Sequence, residues 1–264
     1  MQTVIHDFTG VYRMQPFMQE LRSIADKGVR YIDCTQIAGT DCYCDDEAVK
    51  AIRGLIADAG ITDARGIHFF DNGNYHYMSK IWTDMVQEPF SLVVFDHHPD
   101  MQEPRFGNIL SCGGWVKNVL EENKFVDSIV VIGVADHLTR EIPSHSKVSY
   151  LRESEFNAMI NKPGDFERFV SDLKTHDSPL SSSIYISIDK DALAPAYAAT
   201  NWDQGSLSTE SLKSIIAGLA ASHKILGIDI CGERARDTED SRADALNSEL
   251  NRELAEFLAP LVAS

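Results

Sequence analysis

The chain has 264 residues, of which 44% are hydrophobic and 24% charged, a composition typical of a folded globular protein. Its 24 Lys and Arg against 40 Asp and Glu give a net charge of −16, which argues against nucleic acid or an anionic membrane as a partner. No apolar run approaches the roughly 18–20 residues that cross a bilayer. The first residues do not resemble a signal peptide, and the five cysteines are odd in number, so we expect a cytoplasmic protein with reduced thiols.

Short apolar runs rich in β-branched residues alternate with helical patterns along the chain. An apolar stripe over 48–59 predicts a helix that begins near Asp45 and ends at Gly60, and Ser208 is predicted to cap a second helix over 212–219. Because β and α units alternate and no linker divides the chain, we predict one domain over 1–264. It would be a three-layer α/β/α domain with a mostly parallel sheet of about eight strands. The candidate strands, in chain order, are 4–8, 30–34, 66–70, 91–95, 128–134, 147–151, 183–188 and 224–230.

Acidic residues and a histidine follow two of these strands. Asp96, His98 and Asp100 come directly after the strand 91–95, and Asp189 and Asp191 follow the strand 183–188. In extended chain, residues two apart point to the same side, and ligand sites in parallel sheets lie beyond the carboxyl ends of the strands. Buried carboxylates repel one another unless a cation holds them. Oxygen and imidazole ligands suit a metal such as Mn²⁺, and two ions could share the bridging acids.

Each segment alone is also typical of a turn, because Asp, Pro and His are common turn residues. The occurrence of both at strand ends of the same α/β chain favours a shared metal site. No glycine-rich phosphate-binding motif supports a nucleotide cofactor.

Four segments resemble, in order, the motifs of the ureohydrolases, the family of arginase, agmatinase and formimidoylglutamase. DHHPD resembles the family's Asp-x-His-x-Asp signature, and SIDKDALAPAYAATNWDQGSLS resembles its Ser-x-Asp-x-Asp segment. GNYHYMSKI stands in the place of a Gly-Gly-Asp-His segment, and LGIDICGE resembles a late strand that carries an active-site acid. The resemblance covers roughly residues 66–233.

The resemblance implies a binuclear manganese hydrolase with six metal ligands. A hydroxide held between the two ions would attack a guanidino, amidino or formimidoyl carbon and cleave a linear C–N bond. Asp100 would also accept a hydrogen bond from that hydroxide. The resemblance further implies a small-molecule substrate and a homo-oligomer, a trimer or a hexamer. The implied ligands are His76 and Asp100 for one ion, His98 and Asp191 for the other, and Asp96 and Asp189 as bridges; His68 is a rival to His76.

The chain departs from the family pattern around the substrate. The family's proton-shuttling His is absent from the stretch around Cys112, so we expect His137 or His97 to supply proton transfer, unless both are simply exposed. The late acid is displaced to Glu233, which could orient a guanidinium or be a surface acid. Two further pairs could act at the substrate site or simply be exposed. Arg234 and Arg236 could receive a substrate carboxylate, and Trp202 and Asp203 could line the mouth of the site.

These departures leave a second hypothesis open. A catalytically impaired, metal-binding regulatory or accessory subunit could have kept the same fold. A deacetylase-like enzyme of related architecture is less favoured, because the His97-His98 pair belongs to the metal-ligand motif here.

Overall fold

The computed structural model describes residues 2–24, 28–103, 107, 109–140, 142–173, 180–235 and 240–262. The strands are β1 (Thr3–Asp7), β2 (Val29–Asp33), β3 (Tyr43–Cys44), β4 (Ile67–Phe69), β5 (Phe90–Phe95), β6 (Leu110–Ser111), β7 (Val126–Val134), β8 (Val148–Arg152), β9 (Ser183–Asp189) and β10 (Lys224–Cys231). The helices are α1 (Phe17–Ile24), α2 (Asp46–Asp58), α3 (Met78–Thr83), α4 (Trp115–Glu122), α5 (Glu153–Ile160), α6 (Asp165–Asp172), α7 (Thr209–Ala220) and α8 (Ser241–Leu258).

Eight strands form one central sheet in the order β2-β1-β4-β10-β9-β5-β7-β8. Every neighbouring pair in it is parallel. All eight correspond to the strands predicted from the sequence, and the predicted fold class is confirmed. The strands β3 and β6 form a separate antiparallel pair that the sequence analysis did not predict.

Hydrophobic residues cover both faces of the sheet. In β5, Val93 and Phe95 belong to one apolar cluster, and Leu92 and Val94 belong to the other. A strand that is covered on both sides has no polar face, which explains its continuous apolar sequence. The first cluster includes residues of α7 and α8, and the second includes residues of α2 and α4, so the sheet is the middle of three layers.

Side-chain caps fix the helix starts that the sequence predicted. The Asp45 side chain accepts a hydrogen bond from the backbone of Ala48 at the start of α2, and Ser208 does the same for Ser211 at the start of α7. Gly60 follows α2 with φ +73°, a left-handed conformation that glycine adopts without strain. No described helix is long and apolar enough to cross a membrane.

The register of the sheet brings the two acidic segments together. β5 and β9 are neighbours, and Phe95 pairs with Ile188 at their carboxyl ends. The next residues, Asp96 and Asp189, therefore emerge side by side at the same edge of the sheet.

Candidate metal centre

Six side chains from three chain segments gather in a cleft at this edge. The ligand atoms of His76, Asp96 and Asp189 lie within 4.8 Å of one another, and so do those of Asp96, His98 and Asp191. Asp96 belongs to both groups. Asp100 joins them, because its Oδ2 lies 3.1 Å from His76 Nδ1. Only His98 is partly exposed, and the other five residues are buried.

His76 reaches the cleft from the turn that follows β4. Its Nδ1 lies 3.1 Å from Asp96 Oδ2 and 3.4 Å from Asp189 Oδ2. On the other side of the ring, Nε2 lies 2.9 Å from Ser187 Oγ, and that hydroxyl donates to Asp229 Oδ1 at 2.7 Å. This chain of hydrogen bonds holds the ring with Nδ1 towards the carboxylates, as metal-ligating imidazoles are commonly held.

The rival histidine lies elsewhere. His68 is fully buried in the core, where its ring stacks on Trp82 with centroids 3.6 Å apart and Nδ1 lies 3.3 Å from the Tyr185 hydroxyl. The structure therefore brings His76, and not His68, to the carboxylates.

His98 is oriented in a similar way from the other side of the cleft. Its Nδ1 lies 2.9 Å from Asp191 Oδ2 and 3.5 Å from Asp96 Oδ1. Its Nε2 lies 3.1 Å from Oδ1 of Asp203, a residue of the loop after β9. For His98 the outer partner is a carboxylate instead of a hydroxyl, and it likewise leaves Nδ1 for the cleft.

Asp100 occupies a strained turn that aims it back at the cluster. Its φ is +48°, which is uncommon for a residue other than glycine. Its backbone oxygen accepts hydrogen bonds from Val116 and Lys117, and its Oδ2 accepts one from Trp115 Nε1 at 2.6 Å. Strain of this kind persists where surrounding contacts fix the backbone.

The cluster carries more buried negative charge than its own histidines balance. Burial and the charge of Asp191 raise the pKa of Asp189 to about 8, and burial and the charge of Asp96 raise that of Asp191 to about 6. Burial alone would lower the pKa of His76, but the adjacent carboxylates of Asp100 and Asp96 raise it well above its usual value. A bound divalent cation would favour the charged carboxylates and the neutral imidazoles instead.

The donor set fits a divalent metal. Asp96 Oδ2 is buried and, among the described residues, has no hydrogen-bond partner, although His76 Nδ1 lies nearby. A buried carboxylate oxygen without a donor is costly unless a cation binds it. Carboxylate oxygen together with imidazole nitrogen suits Mn²⁺ and similar ions.

The cleft around the cluster has a volume of about 340 Å³. Beyond the six candidate ligands, its wall is neutral, and the exposed indole of Trp202 stands edge-on to His98 with ring centroids 5.7 Å apart. The described wall residues outside the ligand set are Cys42, Tyr43, Gly73, Gln102, Ser111, Cys112, Gly113 and Trp202.

Glu233, which the sequence left open as a residue that orients a guanidinium or as a surface acid, lies in the interior of the protein. It is fully buried and does not line the cleft. Its carboxylate accepts hydrogen bonds from Lys190 Nζ at 2.5 Å and from the side chains of Gln15, Asn247 and Asn251. Glu233 thus forms an ion pair with Lys190 inside the protein, and donors occupy both of its carboxylate oxygens.

The expected proton-transfer residues also lie outside the cleft wall. His137 is exposed and does not line the cleft, so the structure does not place it where a substrate proton could be moved. His97 is buried with Nε2 3.7 Å from Asp203 Oδ2, and it is likewise absent from the wall. Arg234 makes a two-pronged ion pair with Asp244, which leaves the predicted carboxylate contact without support. Arg236 lies outside the described residues.

The residues that hold the candidate ligands in place were not predicted from the sequence. Ser187 had a detectable signal, because it lies two residues before Asp189 and therefore on the same side of the strand. Trp115 gave no such signal, since its contact with Asp100 depends on a turn of positive φ.

The arrangement as a whole, a parallel α/β sheet with buried acids and histidines at the carboxyl ends of its strands, defines a ureohydrolase-like fold. The sequence model of the arginase family matches residues 68–254, well over half of the chain. The chain belongs to the arginase family, and the resemblance predicted from its motifs is confirmed.

Individual relatives agree with this membership. An uncharacterized protein of Thermotoga maritima is 28% identical over 229 residues, which are 87% of this chain and 78% of that protein. Proclavaminate amidino hydrolase from Streptomyces clavuligerus has a similar structure, with a TM-score of 0.65 and 17% identity over 98% of this chain and 92% of that one. Formimidoylglutamase from Bacillus subtilis is also similar in structure, with a TM-score of 0.63 and 15% identity. This similarity covers 98% of this chain and 87% of that one. At these identities the two structures show a shared fold.

Proposed function

We propose that this chain is a binuclear metal-dependent hydrolase that cleaves a linear C–N bond in a small guanidino, amidino or formimidoyl compound. The observation that carries the proposal is the convergence of two ligand groups, each within 4.8 Å, on the shared carboxylate of Asp96. Membership of the arginase family supports the same reaction class. The cytoplasmic location and the trimeric or hexameric assembly stay predictions.

Two Mn²⁺ ions are the metals that we propose for the site. His76 and Asp100 would hold one ion, His98 and Asp191 the other, and Asp96 and Asp189 would be shared. When bound, a pair of divalent cations supplies a nucleophile at neutral pH, by lowering the pKa of water, and polarises the group under attack.

The protein's own residues supply orientation and proton handling. Ser187 and Asp203 fix the rings of His76 and His98, so that each presents Nδ1 to the cleft. Asp100, fixed by Trp115, lies in the cleft wall, where its carboxylate can accept the proton of the attacking water. Trp202 lines the cleft and is exposed, so its indole would lie beside a substrate that enters.

Metal analysis and a substrate screen on the same sample test this proposal. We expect two equivalents of Mn²⁺ for the native protein and release of urea, ammonia or formamide from at least one member of a guanidino, amidino and formimidoyl panel. Asp96→Asn should reduce both the bound metal and turnover, while circular dichroism shows a folded chain. The exposed Asp58 on α2 provides a matched control, because Asp58→Asn should change neither quantity. Native protein that binds no divalent metal would refute the proposal.

One observation favours a second candidate function. Among the described wall residues, the only histidines are the two candidate ligands, so the cleft has no separate imidazole for proton transfer. A metal-binding regulatory or accessory subunit needs none. Two equivalents of bound metal with no turnover across the whole panel would support this alternative.

A further inference from the structure

Two cysteines meet across the short antiparallel pair of β3 and β6. In this pair Tyr43 lies opposite Ser111 and Cys44 lies opposite Leu110. One step further in the same register, Cys42 lies opposite Cys112, and the Cys112 N–H donates to the Cys42 carbonyl at 2.9 Å. The cysteines are thus brought together by backbone pairing, although they are 70 positions apart in sequence.

The two thiols also differ from the other cysteines in their accessibility. Both Cys42 and Cys112 are partly exposed and line the candidate metal cleft. The remaining three are buried at 1% exposure or less: Cys34, Cys44 and Cys231. A small reagent that enters the cleft therefore reaches this pair first.

The geometry of the pair suits a covalent bridge. Residues directly opposite in antiparallel strands have Cα atoms about 4.5–5.5 Å apart, and a disulfide spans roughly 4.4–6.8 Å between Cα atoms. Cys42 and Cys112 directly flank the paired residues of β3 and β6, the backbone hydrogen bond between them holds the two chain segments at this spacing, and both residues line the same cleft. All five cysteines are free in the structure, as reduced thiols would be.

We propose that Cys42 and Cys112 form a reversible modification site, a dithiol that small-molecule disulfides oxidise to an intramolecular disulfide in the cleft wall. The proposal goes beyond the hydrolase function and does not depend on it. The bridge would join β3 to β6 and remove both thiol hydrogens from the wall of the candidate metal centre.

The exchange balances in two steps. The Cys42 thiolate attacks one sulfur of a small disulfide such as oxidised glutathione, which forms a mixed disulfide and releases one small thiol. The Cys112 thiolate then attacks the Cys42 sulfur, which forms the Cys42–Cys112 bond and releases the second small thiol. The protein dithiol is oxidised by two electrons, the small disulfide is reduced, and the two thiol protons pass to the leaving thiolates.

Mass spectrometry of the full chain tests the assignment without any activity assay. The folded protein is incubated with excess oxidised glutathione, its free thiols are blocked with N-ethylmaleimide, and the intact mass and peptides are measured. We expect the mass of the two thiol hydrogens to be lost, a cross-linked peptide that joins Cys42 to Cys112, and reversal by dithiothreitol. Cys42→Ser and Cys112→Ser should each stop at a glutathione adduct on the remaining partner, whereas Cys44→Ser should still form the bridge.

Three results would overturn the proposal: no bridge in the native protein, a bridge that joins Cys42 to Cys44, or stable separate adducts on Cys42 and Cys112. The native protein alone distinguishes these results, so the test does not require that every variant folds. Because mass and peptide identity are the readouts, failure of the dithiol proposal is distinguishable from failure of the hydrolase proposal.

Discussion

The buried pair of Lys190 and Glu233 makes a testable claim about which residues stabilise the fold. Their side chains are 0% and 1% exposed, and Glu233 also accepts hydrogen bonds from three amide side chains. Glu233→Gln would leave the Lys190 ammonium inside the protein with Asn251 Oδ1, at 3.2 Å, as its remaining described acceptor besides the new amide. Removing one partner of such a pair costs about 3–5 kcal/mol, because the other charge stays buried.

The reverse change should cost less. Lys190→Met leaves the Glu233 carboxylate with the donors of Gln15, Asn247 and Asn251, and hydrogen bonds to a charged group each contribute about 1.5–3 kcal/mol. In the double variant no charge remains buried. Its loss of unfolding free energy should therefore be at least about 2 kcal/mol smaller than the sum of the two single losses, an interaction energy typical of contacting residues.

Urea unfolding of the two single variants and the double variant measures this coupling. The pair of Lys224 and Glu88 is a matched control, because its Nζ–Oε1 distance is 2.7 Å but both side chains are about half exposed. Lys224→Met and Glu88→Gln should each cost less than about 1 kcal/mol, with little coupling. A coupling between Lys190 and Glu233 no larger than that of the exposed pair would refute the reasoning, as would a Glu233→Gln variant of native stability that loses only turnover.

Three further outcomes follow from individual contacts. Trp115→Phe removes the hydrogen bond to Asp100 and should weaken Mn²⁺ binding, measured by calorimetry, about 10–100-fold. Trp82→Phe is the control and should not weaken it, since the Trp82 indole N–H has no hydrogen-bond partner among the described residues. Burial lowers the pKa of His6 to about 3 in the folded state, against 6.5 in the unfolded chain. Between pH 6.5 and 3, therefore, only the unfolded chain binds a proton at this imidazole. The stability present above pH 6.5 is lost as the pH falls towards 3. Measured by urea unfolding, the slope of unfolding free energy against pH in this range should fall by about one proton in His6→Leu, or about 1.4 kcal/mol per pH unit. An unchanged slope would contradict the assignment. Asp45→Ala should lower the unfolding free energy by about 1 kcal/mol through loss of the α2 cap, whereas Asp45→Asn should cost much less.

The fold could be predicted because its strands are long enough to have a pattern. β5, β7 and β9 are six to nine residues of almost continuous apolar sequence, and each is bounded by polar segments. β3 and β6 are two residues each, so they have neither a period nor a composition to detect. Their pairing depends on the chain around Asp100 and Cys42, both of positive φ, and no local pattern encodes that contact.

The candidate ligands could be predicted for a related reason. Residues two apart in an extended chain point to the same side, which applies to Asp96, His98 and Asp100 and to Asp189 and Asp191. Neighbouring parallel strands then bring their carboxyl ends, and with them the two segments, to one edge of the sheet. The prediction for His137 had no such spacing behind it, because nearness to a strand end does not say whether a side chain points into the cleft or to solvent. The supporting contacts of Trp115 and Asp203 arise from loops, whose course the sequence pattern does not fix.

Gly232 connects the displaced acid with the buried ion pair. It has φ +92°, and a Cβ atom placed there would lie 2.3 Å from Asp189 Oδ1 and 2.7 Å from the Lys190 backbone nitrogen. No side chain, acidic or otherwise, fits at position 232 while Asp189 keeps its place in the cluster. The acid one residue later, Glu233, is turned into the interior, where it meets the side chain of Lys190, the residue between Asp189 and Asp191. Gly232 therefore lets Asp189 keep its place among the candidate ligands, while the side chains on either side of this contact, Lys190 and Glu233, pair with each other in the interior.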